Sequence, residues 1–251
     1  MLRSVMWQAL TAADLSEQAR ANAIILLPVA SMEQHGPHLP VGVDSLLCEA
    51  VCRRAAETVA ATSPVIVAPT LWCGMAEHHM AFGGTFTFDL ATYSDVLASL
   101  VNSIERHGFK RLLIVNGHGG NVAALAAILP DLQRQRSLKI RTTTYFDLAQ
   151  PAMPAILEDQ DGVRHACEAE TSMMMALAPE LVRDEALKAA HGPPHVHRRP
   201  LALGQYRSFR DFTPSGVVGD ARRASRQKGE KLLAACAAAL AAALKDPHTW
   251  D

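Results

Sequence analysis

Four short apolar runs alternate with amphipathic stretches along this chain. The runs are bounded by turn or charge signals, which is typical of buried strands: they are Ile24–Val29, Val65–Pro69, Leu112–Val115 and Ile140–Tyr145. The stretches with helical spacing lie at about Ser45–Val59, Tyr93–His107 and Val122–Gln135. This order predicts an α/β fold, in which a mostly parallel central sheet is flanked by helices. Residues 222–244 predict a closing helix, and we expect residues 1–251 to form a single domain.

Side chains of the metal-binding type follow the first and the third predicted strand. Glu33 and His35 come after the first strand, and two residues apart on an extended chain they point to the same side. Asp44 follows a loop that contains two prolines, and His118 lies in Asn-Gly-His-Gly-Gly-Asn after the third strand. Sites of parallel sheets gather at the carboxyl ends of strands, so we expect one shared cleft. Carboxylates and imidazoles without thiolates suit Zn, Mn or Fe, and a partly open site is usually catalytic.

Each of these residues also has a simpler interpretation. Glu33 can be a surface carboxylate, His35 a loop histidine, and Asp44 the cap of a helix that starts at Ser45. The glycines around His118 can serve only a tight turn between strand and helix. These interpretations account for the residues one at a time, whereas their occurrence at two strand ends favours a metal site.

A second cluster runs from His165 to Ser172 as His-Ala-Cys-Glu-Ala-Glu-Thr-Ser. His165 and Glu168 are three residues apart and share a face if the helix has begun. Glu168 and Glu170 diverge on a regular helix, so we expect different roles for them. One reaches the metals and the other supports a ligand or caps backbone amides. Spacing leaves open which glutamate does which.

Cys167, close to His165, introduces a second class of function, a thiol hydrolase with a cysteine nucleophile. The competing interpretation is a small, partly buried helix residue beside a metal site. We prefer the latter because the other clusters supply a complete metal site. A third class is a non-catalytic metal-binding or assembly protein, and Gly120 and Cys167 are the features that favour it.

Two long loops, residues 70–88 and 190–220, are further candidates for function. In the first loop, His78 and His79 are predicted to line a substrate pocket, with exposed loop histidines as the alternative. Gly119 and Cys167 are assigned to the same pocket. In the second loop, the basic segment 191–200 can attract an acidic substrate, although a solvated surface loop is the simpler interpretation.

The bulk properties exclude several classes of partner. The formal net charge is −1, so no global field favours nucleic acid or a membrane surface. No apolar run reaches the roughly 18 residues of a membrane span, and the N-terminus lacks the apolar core of a signal peptide. Five scattered cysteines favour reduced thiols. We therefore predict a cytoplasmic protein that binds a small molecule.

Together the motifs resemble the creatininase (creatinine amidohydrolase) family. The residues that carry the resemblance are Leu27-Pro-Val-Ala-Ser-Met-Glu-Gln-His-Gly-Pro-His-Leu-Pro40, then Asp44, Asn116-Gly-His-Gly-Gly-Asn121 and Glu170-Thr-Ser172. The resemblance covers most of the chain and implies an α/β fold with a binuclear metal centre. It also implies hydrolysis of amide or cyclic amide C–N bonds, and a homo-oligomer that is often a hexamer.

Carried over by position, the resemblance assigns Glu33 and His118 to one metal, His35 to the other, and Asp44 to a bridge between them. Where creatininase has its remaining carboxylate ligand, this chain has Gly120. Many family members carry His-Ala-Gly-Glu, and the corresponding segment here is His165-Ala-Cys-Glu168. We infer that Glu168 supplies the missing ligand, with Glu170 as the alternative. The tryptophan expected over the substrate is not present in Gln160–Arg164.

The sequence thus predicts a metal-dependent amidohydrolase with two divalent ions per chain, Zn, Mn or Fe. A hydroxide that bridges the ions would attack the carbonyl of an amide, cyclic amide or formamide. His165 would protonate the departing nitrogen as a general acid, and Glu168 would act beside it.

Overall fold

The central element is a parallel sheet of four strands in the order β2-β1-β3-β4. The computed structural model describes residues 3–134, 136–158, 160–195 and 205–251. The strands are β1 (Ile24–Val29), β2 (Val65–Val67), β3 (Arg111–Asn116) and β4 (Lys139–Thr144). Both β1 and β3 are almost wholly buried, as expected for inner strands of a parallel sheet that is covered on both faces.

The α-helices of the described residues connect the strands and close the fold. They are α1 (Ala12–Arg20), α2 (Val43–Val59), α3 (Leu90–Arg106), α4 (Asn121–Gln133), α5 (Tyr145–Ala149), α6 (Glu168–Leu177) and α7 (Arg226–Lys245). The predicted α/β class and the parallel sheet are confirmed. Helices α1 and α5 were not predicted, and β2 ends at Val67 rather than at Pro69.

The sheet separates two hydrophobic cores because successive side chains of a strand point to opposite faces. Along β1, Ile24 and Leu26 pack in one core with residues of α2, α6 and α7. Ile25, Leu27 and Val29 pack in the other core with residues of α3 and α4. No helix in the described part of the chain is long and apolar enough to cross a membrane.

The register of the two inner strands brings the polar motifs together. Val29 of β1 is paired with Asn116 of β3, so both strands end at the same level. The loop that carries Glu33 and His35 leaves from β1, and the loop that carries His118 leaves from β3. Both loops therefore open at one edge of the sheet, as the sequence predicted.

Helix α6 brings the 165–172 cluster to this edge and is held there by α7. The two helices approach so closely that a Cβ on Gly229 would collide with the backbone carbonyl oxygen of Ser172. Ser172 also accepts a hydrogen bond from the backbone N–H of Ser225, the N-cap of α7, at 3.1 Å. The predicted closing helix thus positions part of the site.

Candidate metal centre

Asp44 directs one carboxylate oxygen toward each of two histidines. Its Oδ1 lies 3.2 Å from Nε2 of His35, and its Oδ2 lies 3.0 Å from Nδ1 of His118. All three residues are buried. Asp44 lies in the first turn of α2, whose N-cap is Gly42, so the alternative interpretation of Asp44 as a helix cap is wrong. Asp44 therefore lies between the two histidines, with one oxygen directed at each.

Glu33 contacts the same nitrogen of His118 as Asp44 does. Its Oε2 lies 3.0 Å from His118 Nδ1. Its Oε1 lies 3.2 Å from Nε2 of His79 and 3.5 Å from Nδ1 of His165. Glu33 is 1% exposed, so its charge is removed from bulk solvent and needs positive charge or hydrogen-bond donors nearby.

Backbone carbonyls orient the two histidines beside Asp44. A carbonyl oxygen only accepts, so His35 donates Nδ1–H to the carbonyl oxygen of Glu33 at 3.1 Å. For the same reason, His118 donates Nε2–H to the carbonyl oxygen of Met75 at 3.1 Å. The remaining nitrogen of each ring faces the carboxylates. Histidines that bind metals are commonly held in this way, with the second N–H on a carbonyl or carboxylate.

Two asparagines fix the loop that presents His118. Asn116 accepts the backbone N–H of His118 at 3.1 Å and donates to its carbonyl oxygen at 2.7 Å. Asn121 donates to the carbonyl oxygen of Ala30 at 3.1 Å and accepts the backbone N–H of Met75 at 2.9 Å. The asparagines of the Asn-Gly-His-Gly-Gly-Asn motif therefore join the ends of β1 and β3, a role that the sequence analysis did not assign.

Glu170 reaches the cluster from α6. The backbone N–H of Ala166 donates to Glu170 Oε2 at 2.6 Å, and Glu170 Oε1 lies 3.9 Å from His35 Nε2. Ala166 adopts a left-handed backbone conformation with φ +50°, which is unusual for a residue other than glycine. Burial raises the pKa of Glu170 to about 7, against the opposing effect of His35.

The contacts of Glu168 lead to α7 and to the backbone of Glu158, which favours Glu170, the alternative that the sequence left open, as the carboxylate of the cluster. Its Oε1 accepts a hydrogen bond from Lys228 Nζ at 2.6 Å, and its carboxylate accepts the backbone N–H of Glu158. Helix α6 begins at Glu168, and the two glutamates two residues apart point to different sides. Glu168 joins α6 to α7, whereas Glu170 faces His35.

The charges and unpaired atoms of this cluster suit divalent ions. Three buried atoms of the cluster make no hydrogen bond among the described residues: Glu33 Oε2, His35 Nε2 and Asp44 Oδ2. Each of them lies within ion-pair distance of a histidine or a carboxylate of the cluster. Burial opposes a charged His35, but Asp44, Glu170 and Glu33 outweigh it and raise its pKa to about 9. The buried carboxylates of the cluster are thus stabilised by positive charge, and the oxygen and nitrogen donors match Zn or Mn.

A cavity of about 250 Å³ adjoins the cluster. His78, His79 and Gly119, which the sequence assigned to a substrate pocket, line this cavity. Phe209 also lines it, and its ring centroid lies 4.4 Å from that of His79 and 4.8 Å from that of His165. Phe209 was missed because no local pattern marks a single phenylalanine in a loop far along the chain. The basic residues 196–200 lie outside the described residues.

The environment of Cys167 does not favour a thiolate. Cys167 is fully buried and does not line the cavity. Its Sγ accepts the backbone N–H of Arg164 at 3.3 Å. Burial, followed by the charge of Glu170, raises the pKa of the thiol to about 12. A nucleophilic cysteine needs a lowered pKa and access to substrate, and Cys167 has neither.

Known proteins resemble this chain over nearly its whole length. The family model Creatininase, described as creatinine amidohydrolase, matches residues 8–244. The creatinine amidohydrolase of Pseudomonas putida is 30% identical over 250 residues, with 91% of each chain covered. The mycofactocin precursor peptide peptidase of Mycolicibacterium smegmatis is 30% identical over 214 residues, which cover 84% of this chain and 80% of the relative.

Solved structures of creatininases share the fold of this chain, and two of them are named for their metals. A crystal structure of creatinine amidohydrolase superimposes with a TM-score of 0.83 at 29% identity and covers 97% of both chains. A mutant creatininase of the Zn-Zn type and a manganese creatininase each give a TM-score of 0.82 at 28% identity, with 99% of both chains covered.

Proposed function

Because the chain belongs to the creatininase family, we propose that it is a binuclear metal-dependent amidohydrolase acting on a small amide, cyclic amide or formamide. The observation that carries the proposal is the position of Asp44, with one oxygen toward His35 and the other toward His118. We treat residues 1–251 as one functional unit. A cytoplasmic homo-oligomer, possibly a hexamer in line with the family resemblance, is part of the same proposal.

Two sets of donors that share Asp44 would hold the ions. Glu33, Asp44 and His118 form the first set, with both carboxylates 3.0 Å from His118 Nδ1. His35, Asp44 and Glu170 form the second set, around His35 Nε2. When bound, divalent ions polarise the substrate carbonyl and lower the pKa of a shared water toward neutrality.

His165 is suited to transfer the proton between this water and the departing nitrogen. Burial lowers its pKa, so the ring is neutral. Its Nε2–H donates to the carbonyl oxygen of Gln34 at 2.8 Å, which leaves Nδ1 as the proton acceptor beside Glu33. We propose that Nδ1 takes a proton from the attacking water and delivers it to the amide nitrogen as the C–N bond breaks. The sequence assigned only the second half of this role.

The cavity favours a small substrate. A volume of about 250 Å³ is close to the lower limit of ordinary ligand pockets. Phe209 lines the cavity beside His165 and would offer an apolar face to a planar amide or ring. Two relatives act on creatinine and on a precursor peptide by name, and both substrates present an amide carbonyl.

The test combines metal analysis with a panel of amides. We expect about two equivalents of metal per chain in the purified protein, following the two donor sets. Hydrolysis should be lost on chelation and return with Zn²⁺ or Mn²⁺. Activity that survives chelation and is lost on thiol alkylation would favour the Cys167 hydrolase. Bound metal without turnover of any amide would favour the non-catalytic alternative.

A further inference from the structure

Among the described residues, four histidines lie around Glu33 and Asp44, and one of them is held differently from the others. His35, His118 and His165 each direct one ring nitrogen to a backbone carbonyl oxygen, at 3.1, 3.1 and 2.8 Å. The corresponding nitrogen of His79, Nδ1, instead lies 3.0 Å from the side-chain amide nitrogen of Gln34.

The orientation of the Gln34 amide is determined by the backbone. Its Oε1 accepts the N–H of Gly36 at 2.9 Å, and its Nε2 donates to the carbonyl oxygen of Gly216 at 3.1 Å. Exchanging the oxygen and nitrogen would place an amide nitrogen against an N–H and an oxygen against a carbonyl. Gln34 therefore presents a donor nitrogen to the histidines, with one hydrogen left after the bond to Gly216.

Two histidines in the described part of the chain lie within reach of that hydrogen, and one of them can accept it. Nε2 of His165 lies 2.9 Å from Gln34 Nε2 but carries its own hydrogen for the carbonyl oxygen of Gln34. An N–H cannot accept a hydrogen bond, so the remaining amide hydrogen goes to Nδ1 of His79. The ring hydrogen of a neutral His79 must then be on Nε2, which lies 3.2 Å from Glu33 Oε1.

We propose that Gln34 is a positioning residue that fixes His79 as the Nε2–H tautomer, so that His79 donates to Glu33 and does not bind metal. The consequence for catalysis rests on the proposed function, whereas the tautomer does not. Oε1 of Glu33 is held by His79, and Oε2 stays directed at the His118 side. With its Nε2 protonated, His79 would not add an imidazole ligand to a metal held by Glu33, and a catalytic site needs such a position left free.

The direct test is nitrogen NMR of the histidine rings in ¹⁵N-histidine-labelled protein, first without metal and then with Zn²⁺. We expect His79 to show an unprotonated Nδ1 and a protonated Nε2 in both states, with the signal assigned from its loss in His79→Gln. A zinc-shifted Nε2 of His79, or a protonated Nδ1 in the wild-type protein, would overturn the proposal.

The variant Gln34→Glu reverses the polarity of the contact. A carboxylate only accepts, so we expect the ring proton of His79 to move to Nδ1 and the bond to Glu33 to be lost. We expect kcat to fall about ten- to a hundredfold, the usual effect of changing a residue that orients a ligand. KM should stay constant because Gln34 does not line the cavity. An unchanged tautomer in folded Gln34→Glu would contradict the assignment. Should this variant fail to fold, Gln34→Met must yield a mixture of His79 tautomers.

Gln133→Glu is the matched control. Gln133 also bridges backbone groups through both amide atoms, donating to Leu138 at 3.0 Å and accepting from Ile140 at 2.9 Å, but it lies at the end of α4 away from the histidines. The variant Gln133→Glu should leave the histidine tautomers and kcat unchanged. The expected tautomer in a protein that neither binds metal nor hydrolyses amides would refute the proposed function while supporting the role of Gln34.

Discussion

Nζ of Lys228 lies 2.6 Å from Oε1 of Glu168, inside the junction of α6 and α7. The carboxylate of Glu168 thus joins the two helices, whereas Glu170 directs its Oε1 toward His35. We therefore predict that Glu170→Gln loses about half of the bound metal and most of the hydrolytic activity. Glu168→Gln should keep the metal but lower the free energy of unfolding by about 1–3 kcal/mol, because it weakens a buried hydrogen-bonded pair.

Elemental analysis and denaturant unfolding of the two variants separate these effects. The variants differ by the same change of a carboxylate to an amide at positions two residues apart, so each serves as the control for the other. Loss of metal from Glu168→Gln with full retention in Glu170→Gln would contradict the placement of the second donor set.

Asp44 should matter to both ions, because each of its oxygens faces a different histidine. We predict that Asp44→Ala binds almost no metal, whereas His35→Ala loses mainly one of two equivalents. Metal content per folded chain, measured after gel filtration, is the readout. Two full equivalents in Asp44→Ala would exclude Asp44 as the shared ligand.

Gly120 allows His118 to approach Met75. A Cβ at position 120 would collide with Nε2 of His118 and with the carbonyl oxygen of Met75, the two atoms joined by the hydrogen bond that orients the ring. We predict that Gly120→Ala displaces His118, lowers metal content and costs about 1–3 kcal/mol of stability, as overpacking commonly does. A glutamate at this position would meet the same collision and could not replace Glu170.

The neighbouring Gly119 provides the control for this prediction. A Cβ on Gly119 would meet no atom within 4 Å, so Gly119→Ala should keep both the metal content and the thermal stability of the wild-type protein. Equal metal content in the two alanine variants would show that the contact between His118 and Met75 is not needed.

Much of this arrangement follows from sequence because its determinants are local. The apolar runs at Ile24–Val29 and Leu112–Val115 mark inner strands, and parallel pairing puts their following loops at one edge. Glu33, His35, Asp44 and His118 could thus be placed together.

The remaining features depend on contacts between distant segments. Lys228 on α7 binds Glu168, and the backbone N–H of Ala166, a residue in a left-handed conformation, donates to Glu170. Neither contact is visible in the spacing of the glutamates. The contact of Phe209 with His79 and the contact of Gln34 with Gly216 likewise join parts of the chain that only the folded structure brings together.

The last prediction distinguishes an activated water from a thiolate as the nucleophile. Cys167 is the N-cap of α6 and makes no side-chain cap hydrogen bond, and serine is a preferred residue at that position. Cys167→Ser should therefore fold and retain amidase activity and metal. His165→Ala should retain metal and lose about 10²–10⁴-fold in rate, the usual contribution of a positioned proton-transfer group.

The deficit of His165→Ala should also depend on the substrate. An amide nitrogen that departs as a weak base needs less protonation, so the deficit should shrink along a series of amides with decreasing basicity of the departing amine. The measurement is kcat/KM for the wild type and both variants on this series, with metal content determined in parallel. A deficit that is constant along the series would restrict His165 to accepting the proton of the attacking water. Complete loss of activity in Cys167→Ser with both metals bound would instead establish the thiol as the nucleophile.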